Sequence, residues 1–280
     1  MNAGYICIAQ NSSTVNYLQM AYLQALSCKL TQTKNANFSI IVDTETSEQI
    51  TDAQRLVFDK IIILKNDLAA NSKIKQQNEA QVFNLSPYKQ TIKTEADMLF
   101  TSDYAWLWNV YNQYTMNFTQ TVYTYDHKII TNRSQRRLFD DTFLPNIYSA
   151  WTYFSYDLRS KQFYNTVRAV MDDWDWYRDN YLINCRYDTP RTDEVYAIAA
   201  RINNESLIDT KFGFLHMKSP LQNLSGNDWT KQLYVEIQSD MSPIIGFHKQ
   251  FRPLHYYVKD FVTDELLDRY EYEYKKQLLE

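Results

Sequence analysis

The sequence predicts an α/β protein with a mostly parallel sheet flanked by helices. Three short apolar runs, 5–9, 38–42 and 61–64, indicate buried strands. A helical pattern over 13–30 and a shorter one over 51–58 fill the two intervals between them. This alternation is typical of a parallel sheet, because a parallel neighbour needs a crossover and a helix usually provides it. We therefore expect ligands to bind beyond the carboxyl ends of the strands.

The elements of the first hundred residues follow from apolar spacing and capping residues. Apolar residues recur at helical spacing over 13–30, and Ser12 or Ser13 is placed to cap that helix. The segment 66–93 is polar and predicts irregular structure. The fourth strand candidate is the apolar run 98–100.

The rest of the chain alternates helical and extended patterns. The patterns predict helices over 104–114, 163–177, 192–202 and 264–278. They predict strands over 122–130 and 212–217. Thr263 caps the last helix, with acids in its first turn and lysines in its last. Because no repeat or linker is evident, we expect one domain over 1–230 and a helical C-terminal extension over 231–280 that packs on it.

Composition excludes several classes of protein. The 280 residues contain only four glycines, Gly4, Gly213, Gly226 and Gly246, which are too far apart for a dinucleotide fingerprint or a P-loop. The net charge of −4 gives no overall basic footprint for nucleic acid. Three widely spaced cysteines form no disulfide framework, so a reducing compartment fits best. With no signal-type or membrane-spanning run, we expect a cytoplasmic protein.

An acidic pair precedes the fourth strand candidate. Glu95 and Asp97 stand two residues apart, so their side chains project to one side of an extended segment. Carboxylate oxygens are what Mg²⁺ or Mn²⁺ prefers, often together with substrate phosphates. The alternative is a pair of solvated loop acids.

A late strand carries His216 and Lys218, which share a face. Imidazole binds metals, and a lysine supplies a point charge for phosphate. The alternative is a histidine at the core edge beside a solvated lysine. Upstream, Asp193 and Glu194 start a helix, where acids are favoured by the helix dipole even without a function. In a site, Asp193 could instead be aimed at a sugar hydroxyl.

Two basic segments allow binding to phosphate or to bases. Arg133, Arg136 and Arg137 lie within five residues, and arginine binds phosphate bidentately. The segment 248–257 interleaves basic and aromatic residues, which can stack on bases or sugars. A solvated basic surface is the alternative for both.

In their order along 5–230, these segments resemble a nucleotide-sugar glycosyltransferase of the GT-A fold, most like glycosyltransferase family 8. The first helix carries Tyr17, Ala21 and Ser27, which resemble that family's Tyr, Ala and Ser. The family's Asp-x-Asp and its later Asp-Gln look like Glu95-Ala96-Asp97 and Asp193-Glu194. Its His-x-x-Gly-x-x-Lys is represented in shortened form by His216 and Lys218.

Two departures qualify the resemblance. Glu95 stands where the family has its first Asp, and the polar segment 89–93 stands where the family has an apolar strand. Such variants look like phage-encoded glycosyltransferases, some of which modify hydroxymethylated pyrimidines in DNA. By this analogy the acceptor is DNA with modified bases, and the location is the host cytoplasm.

The resemblance implies a complete donor site. Glu95, Asp97 and His216 would hold Mn²⁺ or Mg²⁺ against the diphosphate of a nucleotide sugar, most simply a UDP-sugar. Lys218 would neutralise the leaving group, and Asp193 and Glu194 would act on the donor sugar or acceptor. The residues expected to bind the donor nucleotide are Ala9, Asn11, Tyr17, Asp43 and Lys93.

Three functions stay open at this stage. The first is the metal-dependent transferase, whose acceptor is a hydroxyl of DNA, of a glycan or of a protein. The second is a nucleic-acid-binding module, and the third is a carbohydrate-binding protein without turnover. Donor sugar, base, stereochemical outcome and oligomeric state are not specified by the sequence.

Overall fold

A six-stranded, mostly parallel sheet forms the centre of the protein and confirms the predicted α/β class. The computed structural model describes residues 2–70 and 75–279. Within those residues the strands are β1 (Ala3–Ile8), β2 (Phe38–Val42), β3 (Lys60–Ile63), β4 (Gln90–Glu95), β5 (Met98–Leu99), β6 (Met116–Thr119), β7 (Thr121–Tyr123), β8 (Tyr148–Ser155), β9 (Gly213–His216), β10 (Val235–Ile237), β11 (Pro243–Ile245), β12 (His248–Lys249) and β13 (Leu254–His255).

The helices flank this sheet. In chain order they are α1 (Tyr17–Thr31), α2 (Thr44–Glu48), α3 (Asp52–Val57), α4 (Val82–Leu85), α5 (Ala105–Tyr111), α6 (Arg137–Thr142), α7 (Leu158–Asp172), α8 (Trp174–Tyr181), α9 (Thr192–Ile202) and α10 (Asp264–Gln277). Short 3₁₀ turns lie at Lys75–Gln81, Ser219–Gln222, Trp229–Lys231 and Lys259–Phe261. None of the helices within 2–70 and 75–279 combines the length and apolar character that a bilayer crossing requires.

The strand order of the main sheet is β3-β2-β1-β4-β8-β6. Strands β1 to β4 run parallel, and β8 and β6 add antiparallel strands at one side. Apolar side chains alternate between two cores, as a sheet covered on both faces requires. Tyr5 and Cys7 belong to the core that includes residues of α1 and α10. Ile6 points to the opposite core, which includes residues of α7 and α9.

Strand β4 overturns the expectation that residues 66–93 are irregular. Its sequence is polar, yet it lies between β1 and β8 with its middle fully buried. The polar side chains find partners inside the protein: Lys93 pairs with Glu79 at 2.8 Å, and Thr91 shares a hydrogen bond with Ser86 at 2.6 Å. The apolar run predicted as the fourth strand contributes only β5, which belongs to a different sheet.

Two helix boundaries also differ from the sequence prediction. Helix α1 begins at Tyr17 because Asn16 accepts a hydrogen bond from the Gln19 amide at 2.9 Å and caps it. Ser12 instead accepts from the Val15 amide at 3.0 Å, in the turn before the helix. The helix predicted over 163–177 is two helices, α7 and α8, because the backbone leaves helical geometry at Asp173 (φ −124, ψ 50). Strands β6 and β8 and helix α6 were not predicted.

A second sheet ties the last part of the chain to the first. Its order is β5-β13-β9-β7, so β13 lies between β5 and β9. The segment 231–280 ends in the predicted helix α10, capped by Thr263, and also supplies β10, β11, β12 and β13. The division of the chain at residue 230 stays a prediction. Gly213, at the start of β9, lies so close to β7 that a Cβ there would come within 1.9 Å of the Thr121 carbonyl oxygen.

Candidate functional site

A cavity of about 710 Å³ lies at the carboxyl ends of the central strands, as the fold class predicts. Ile8 and Glu95, at the ends of β1 and β4, line it. So do Thr192 at the start of α9, His216 at the end of β9 and His255 on β13. Both sheets and the start of α9 therefore contribute to one site.

Glu95, Asp97 and His255 form a cluster of the kind that binds a metal ion. Each offers one ligand atom, and these atoms all lie within 4.8 Å of one another. The His255 Nε2 atom is 3.3 Å from Glu95 Oε2 and 3.3 Å from Asp97 Oδ1. The pairing of β13 with β5 brings these residues together, because it places His255 opposite Met98, the residue after Asp97.

The chemistry of this cluster suits a hard divalent cation. Two carboxylates and one imidazole are a ligand set used by Mn²⁺ and Mg²⁺ sites that also bind substrate oxygens. The His255 Nδ1 atom is buried and lacks a hydrogen-bond partner within the described chain, whereas Nε2 faces the two carboxylates. The Nε2 atom and the two carboxylates thus lie close enough together to be ligands of one cation.

The charges of the cluster are strongly coupled. Burial alone would raise the pKa of Asp97, but His255 and Lys259 more than offset it, so that pKa lies well below its usual range. Burial raises the pKa of Glu95, and His255 and Lys93 only partly oppose this. Burial would lower the pKa of His255, but Asp97 outweighs it and the pKa is raised. His255 and Lys259 therefore compensate the negative charge of the two carboxylates, a role that a bound cation would share.

Lys259 is a cation that the sequence analysis did not select. Its Nζ pairs with Asp97, and it lies 5.2 Å above the ring of Tyr17. Both Tyr17 and Lys259 line the cavity. In the sequence it stands just beyond the basic–aromatic segment 248–257, and no local pattern marks it.

His216, the predicted metal-binding histidine, lies beside the three-ligand cluster and is not one of its members. Its ring stacks on His255 with centroids 5.1 Å apart and an interplanar angle of 2°. Burial lowers the pKa of His216 well below its usual value, and His255 adds to the effect. The predicted Lys218 also lines the cavity, with its Nζ 5.2 Å from the ring of Tyr257.

Asp193 and Glu194 enter the cavity from the first turn of α9. Asp193 accepts hydrogen bonds from the Ser149 amide and hydroxyl at 2.8 and 2.7 Å, and it pairs with Arg136 at 2.7 Å. Burial would raise the pKa of Asp193, but Arg136 and Ser149 hold it below its usual value. Burial, aided by the Asp193 charge, raises the pKa of Glu194 to about 7. The two neighbouring acids thus differ in protonation at neutral pH.

The arginine cluster is engaged with carboxylates of the same chain. Its pairs are Arg133 Nε with Asp140 at 3.1 Å, Arg136 with Asp193 at 2.7 Å and Arg137 with Asp141 at 3.4 Å. Arg136 also stacks on Tyr148, with its guanidinium carbon 3.6 Å from the ring centroid. Arg136 is consequently a buried part of the cavity wall, and the cluster does not form an unpaired basic surface.

Of the residues expected to bind the nucleotide, Tyr17 lines the cavity and four do not. Ala9 is fully buried. Asn11 accepts from the Leu18 amide at 2.9 Å and so orders the turn before α1.

Two further members of that set are engaged with other residues. Asp43 caps α2 and accepts from Gln10 at 2.9 Å. Lys93 is fully buried against Glu79. Gln10 and Glu79 line the cavity in their place, and the donor-binding roles of Ala9, Asn11, Asp43 and Lys93 stay predictions.

The fold resembles solved glycosyltransferases. A structure of the galactosyltransferase LgtC with donor and acceptor sugar analogs has a TM-score of 0.54 and 10% identity, covering 98% of this chain and 94% of that chain. An active-site mutant of LgtC has a TM-score of 0.54 and 11% identity, and the match covers 98% of this chain and 95% of that chain. The apo form of mouse xyloside xylosyltransferase 1 has a TM-score of 0.49 and 11% identity, and the match covers 76% of this chain and 87% of that chain.

The LgtC structures match the chain over nearly its whole length, so the protein has the GT-A glycosyltransferase fold expected from the sequence resemblance. At this level of identity the likeness shows the fold alone. No protein-family model and no curated protein sequence matches the chain.

Proposed function

We propose that this protein is a metal-dependent glycosyltransferase that moves a sugar from a nucleotide-diphosphate sugar to a hydroxyl acceptor. The observation that carries the proposal is the cluster of Glu95, Asp97 and His255 inside the large cavity of a GT-A fold. Two acids and an imidazole that meet in this cavity offer a cation three ligand atoms, all within 4.8 Å of one another.

Mn²⁺ or Mg²⁺ is the metal we propose for this cluster. When bound, the cation supplies Lewis-acid stabilisation of the negative charge that develops on the leaving diphosphate. Glu95, Asp97 and His255 hold it, so His255 takes the ligand role that the sequence analysis gave to His216. His216, neutral and stacked on His255, fixes the orientation of that ring.

Two lysines complete the electrostatics on the leaving-group side. Lys259 and Lys218 both line the cavity, and their positive charges can stabilise the negative charge of a diphosphate. Tyr17 offers an aromatic ring beside Lys259 on which a base can stack. These contacts fit a UDP-sugar donor, as the sequence resemblance implies.

Asp193 and Glu194 are placed to act on the sugar and the acceptor. Asp193 is a carboxylate fixed by Ser149 and Arg136, suited to accept hydrogen bonds from sugar hydroxyls. Glu194, with its pKa near 7, can hold or release a proton at neutral pH. This difference suits binding for Asp193 and proton transfer for Glu194.

The acceptor is proposed only as a hydroxyl compound. Arg191 stacks on Tyr187 at 3.3 Å on the cavity wall, a planar cation–aromatic surface suited to a sugar or a base. A hydroxymethylated pyrimidine in phage DNA, a glycan and a protein are the acceptor classes that the sequence left open. The carboxylate pairing of the arginine cluster removes one argument for the DNA acceptor.

Donor turnover with and without metal tests the proposal. We expect hydrolysis or transfer of at least one nucleotide sugar in Mn²⁺ or Mg²⁺, and loss of it in EDTA. Asp97→Ala is expected to lower kcat/KM by about 100-fold or more, because a buried metal ligand is removed. The matched control is Asp179→Ala, which removes an exposed carboxylate on α8 outside the cavity.

A metal titration distinguishes the proposed roles of His255 and His216. In calorimetry with Mn²⁺, His255→Ala should weaken binding at least tenfold, whereas His216→Ala should weaken it less. Full turnover by Asp97→Ala would refute the metal site. Metal loss in His216→Ala with none in His255→Ala would reverse the proposed ligand set.

A further inference from the structure

A second cavity, of about 440 Å³, shares no lining residue with the first. It lies between the loop that enters α5 and the loops that enter β9 and β13. His216 and His255 end those two strands in the first cavity, whereas Phe212 and Arg252 precede them in the second. We propose that this second cavity binds a sugar ring of a glycan, independently of the donor site.

Two exposed aromatic rings form walls of the second cavity. Trp106 is 53% exposed and Phe251 is 50% exposed. Trp106 packs against the edge of Phe212 at 5.9 Å, and Phe251 stacks on His127 at 4.6 Å, so both rings are held in place. Rigid aromatic faces open to solvent can pack on the apolar CH face of a pyranose at little entropic cost.

The polar groups in this cavity complement sugar hydroxyls. The Arg252 guanidinium lies 3.6 Å over the ring of Tyr123, its Nε is buried without a hydrogen-bond partner, and it takes part in none of the ion pairs found within the described chain. Asp103 accepts from Thr33 Oγ1 at 2.6 Å and from the Ala105 amide at 2.9 Å, which leaves acceptor capacity on its carboxylate. Hydroxyl groups both donate and accept, so one sugar can satisfy the two side chains.

The surrounding charges favour a glycan over a nucleic acid. Binding of a polyanion needs cations that are not already neutralised. Among the described residues that line this cavity, Lys211 is paired with Asp209 at 2.8 Å, and the one cation outside the ion pairs, Arg252, is accompanied by the Asp103 carboxylate. A largely uncharged, ring-shaped ligand therefore fits these residues better than a phosphodiester chain.

Binding to immobilised oligosaccharides tests the proposal. The full-length protein, labelled with a fluorophore, is applied to a glycan array in EDTA and without nucleotide, so that the first cavity is not engaged. The best-bound oligosaccharide is then titrated in solution by calorimetry. Trp106→Ala and Arg252→Gln should each weaken its binding at least fivefold, and Phe251→Ala serves as a second aromatic variant if Trp106→Ala unfolds.

Two control variants separate this site from the donor site. Trp176→Ala removes a tryptophan that is 50% exposed and lies outside both cavities, and it should leave glycan binding unchanged. Asp97→Ala disables the proposed metal site and should also retain glycan binding, so failure of one proposal does not decide the other. The proposal is overturned if no glycan is retained, if binding survives in Arg252→Gln and both aromatic variants, or if a dT12 oligonucleotide competes for the same residues.

Discussion

Strands β1 and β4 are neighbours in the same sheet, but they are stabilised in opposite ways. In their parallel register Ile6 is opposite Lys93, and both side chains are fully buried on the same face. Ile6 contributes to an apolar core, whereas Lys93 forms an ion pair with Glu79 and lies within hydrogen-bond reach of the Ser149 carbonyl at 3.4 Å. The strand that carries the site is thus the one in which polar pairing replaces apolar packing.

The largest difference in stability between the two strands is expected at this register pair. Lys93→Met leaves the Glu79 carboxylate without its cation and should lower the free energy of unfolding by about 3 kcal/mol or more. Ile6→Val removes one methyl group and should cost only about 1 kcal/mol. Urea unfolding with an unchanged m-value measures both.

Two further variants support the interpretation of the Lys93 result. Adding Glu79→Gln to Lys93→Met should recover a large part of the loss, because no buried charge is then left alone. Lys161→Met, on an exposed position of α7, should change stability by less than about 0.5 kcal/mol. A Lys93→Met loss no greater than that of Ile6→Val would show that the ion pair is dispensable.

The two acids at the start of α9 give a second, pH-dependent contrast. The pKa of Glu194 is raised to about 7 by burial and by Asp193, so the folded protein binds a proton that the unfolded chain has released. Stability from this group is therefore fully present below the ordinary glutamate pKa and is lost as pH rises through about 7. Glu194→Gln should be more stable than the parent by about 2–3 kcal/mol at pH 8, and nearly equal to it at pH 4.

Thermal or urea unfolding of both proteins at the two pH values checks this sign. The matched variant is Asp193→Asn, which should lose stability at pH 8, because Arg136 and Ser149 favour the charged form of Asp193. An advantage of Glu194→Gln that is the same at pH 4 and pH 8 would contradict the raised pKa.

The smallest expected effect lies where β1 leads into α1. Asn16→Ala removes the side chain that caps α1 and should cost about 1 kcal/mol. Ser13→Ala, at an exposed position that the sequence had favoured as a cap, should cost less than about 0.5 kcal/mol. Equal losses of stability in Asn16→Ala and Ser13→Ala would contradict the assignment of Asn16 as the cap of α1.

These contrasts explain what the sequence could and could not predict. Strands β1 and β2 and helix α9 were predicted because their apolar pattern reports burial. Strand β3 was also predicted from its apolar run, but it lies at the edge of the sheet and none of its residues is buried. Strand β4 was missed because the partner of Lys93, Glu79, belongs to another element, and local sequence does not show that pairing. The acids Glu95 and Asp97 were selected from their two-residue spacing and from the resemblance to glycosyltransferases, and Asp193 from its place at a helix start; their roles stay predictions.

The third member of the cluster shows the same limit. His255 was noticed only within a basic–aromatic segment, since its proximity to Asp97 depends on the pairing of β13 with β5 and β9. Strand pairing over such a distance is not encoded in any short window of sequence. The sequence therefore selected both acids of the candidate cluster and named His216 with them, whereas the fold brings His255 to the acids; the ligand roles stay predictions.

The insertion of β13 between β5 and β9 would also link folding to the affinity for the proposed metal. Asp97 and Lys259, which meet across this sheet, are 162 residues apart in the chain. Contacts of such separation form late, because much chain entropy is lost before they contribute. A cation that requires all three ligands can bind tightly only once the C-terminal segment has docked, so by mass action the cation favours the docked state. The metal would thus stabilise the docked C-terminal segment as well as take part in the chemistry.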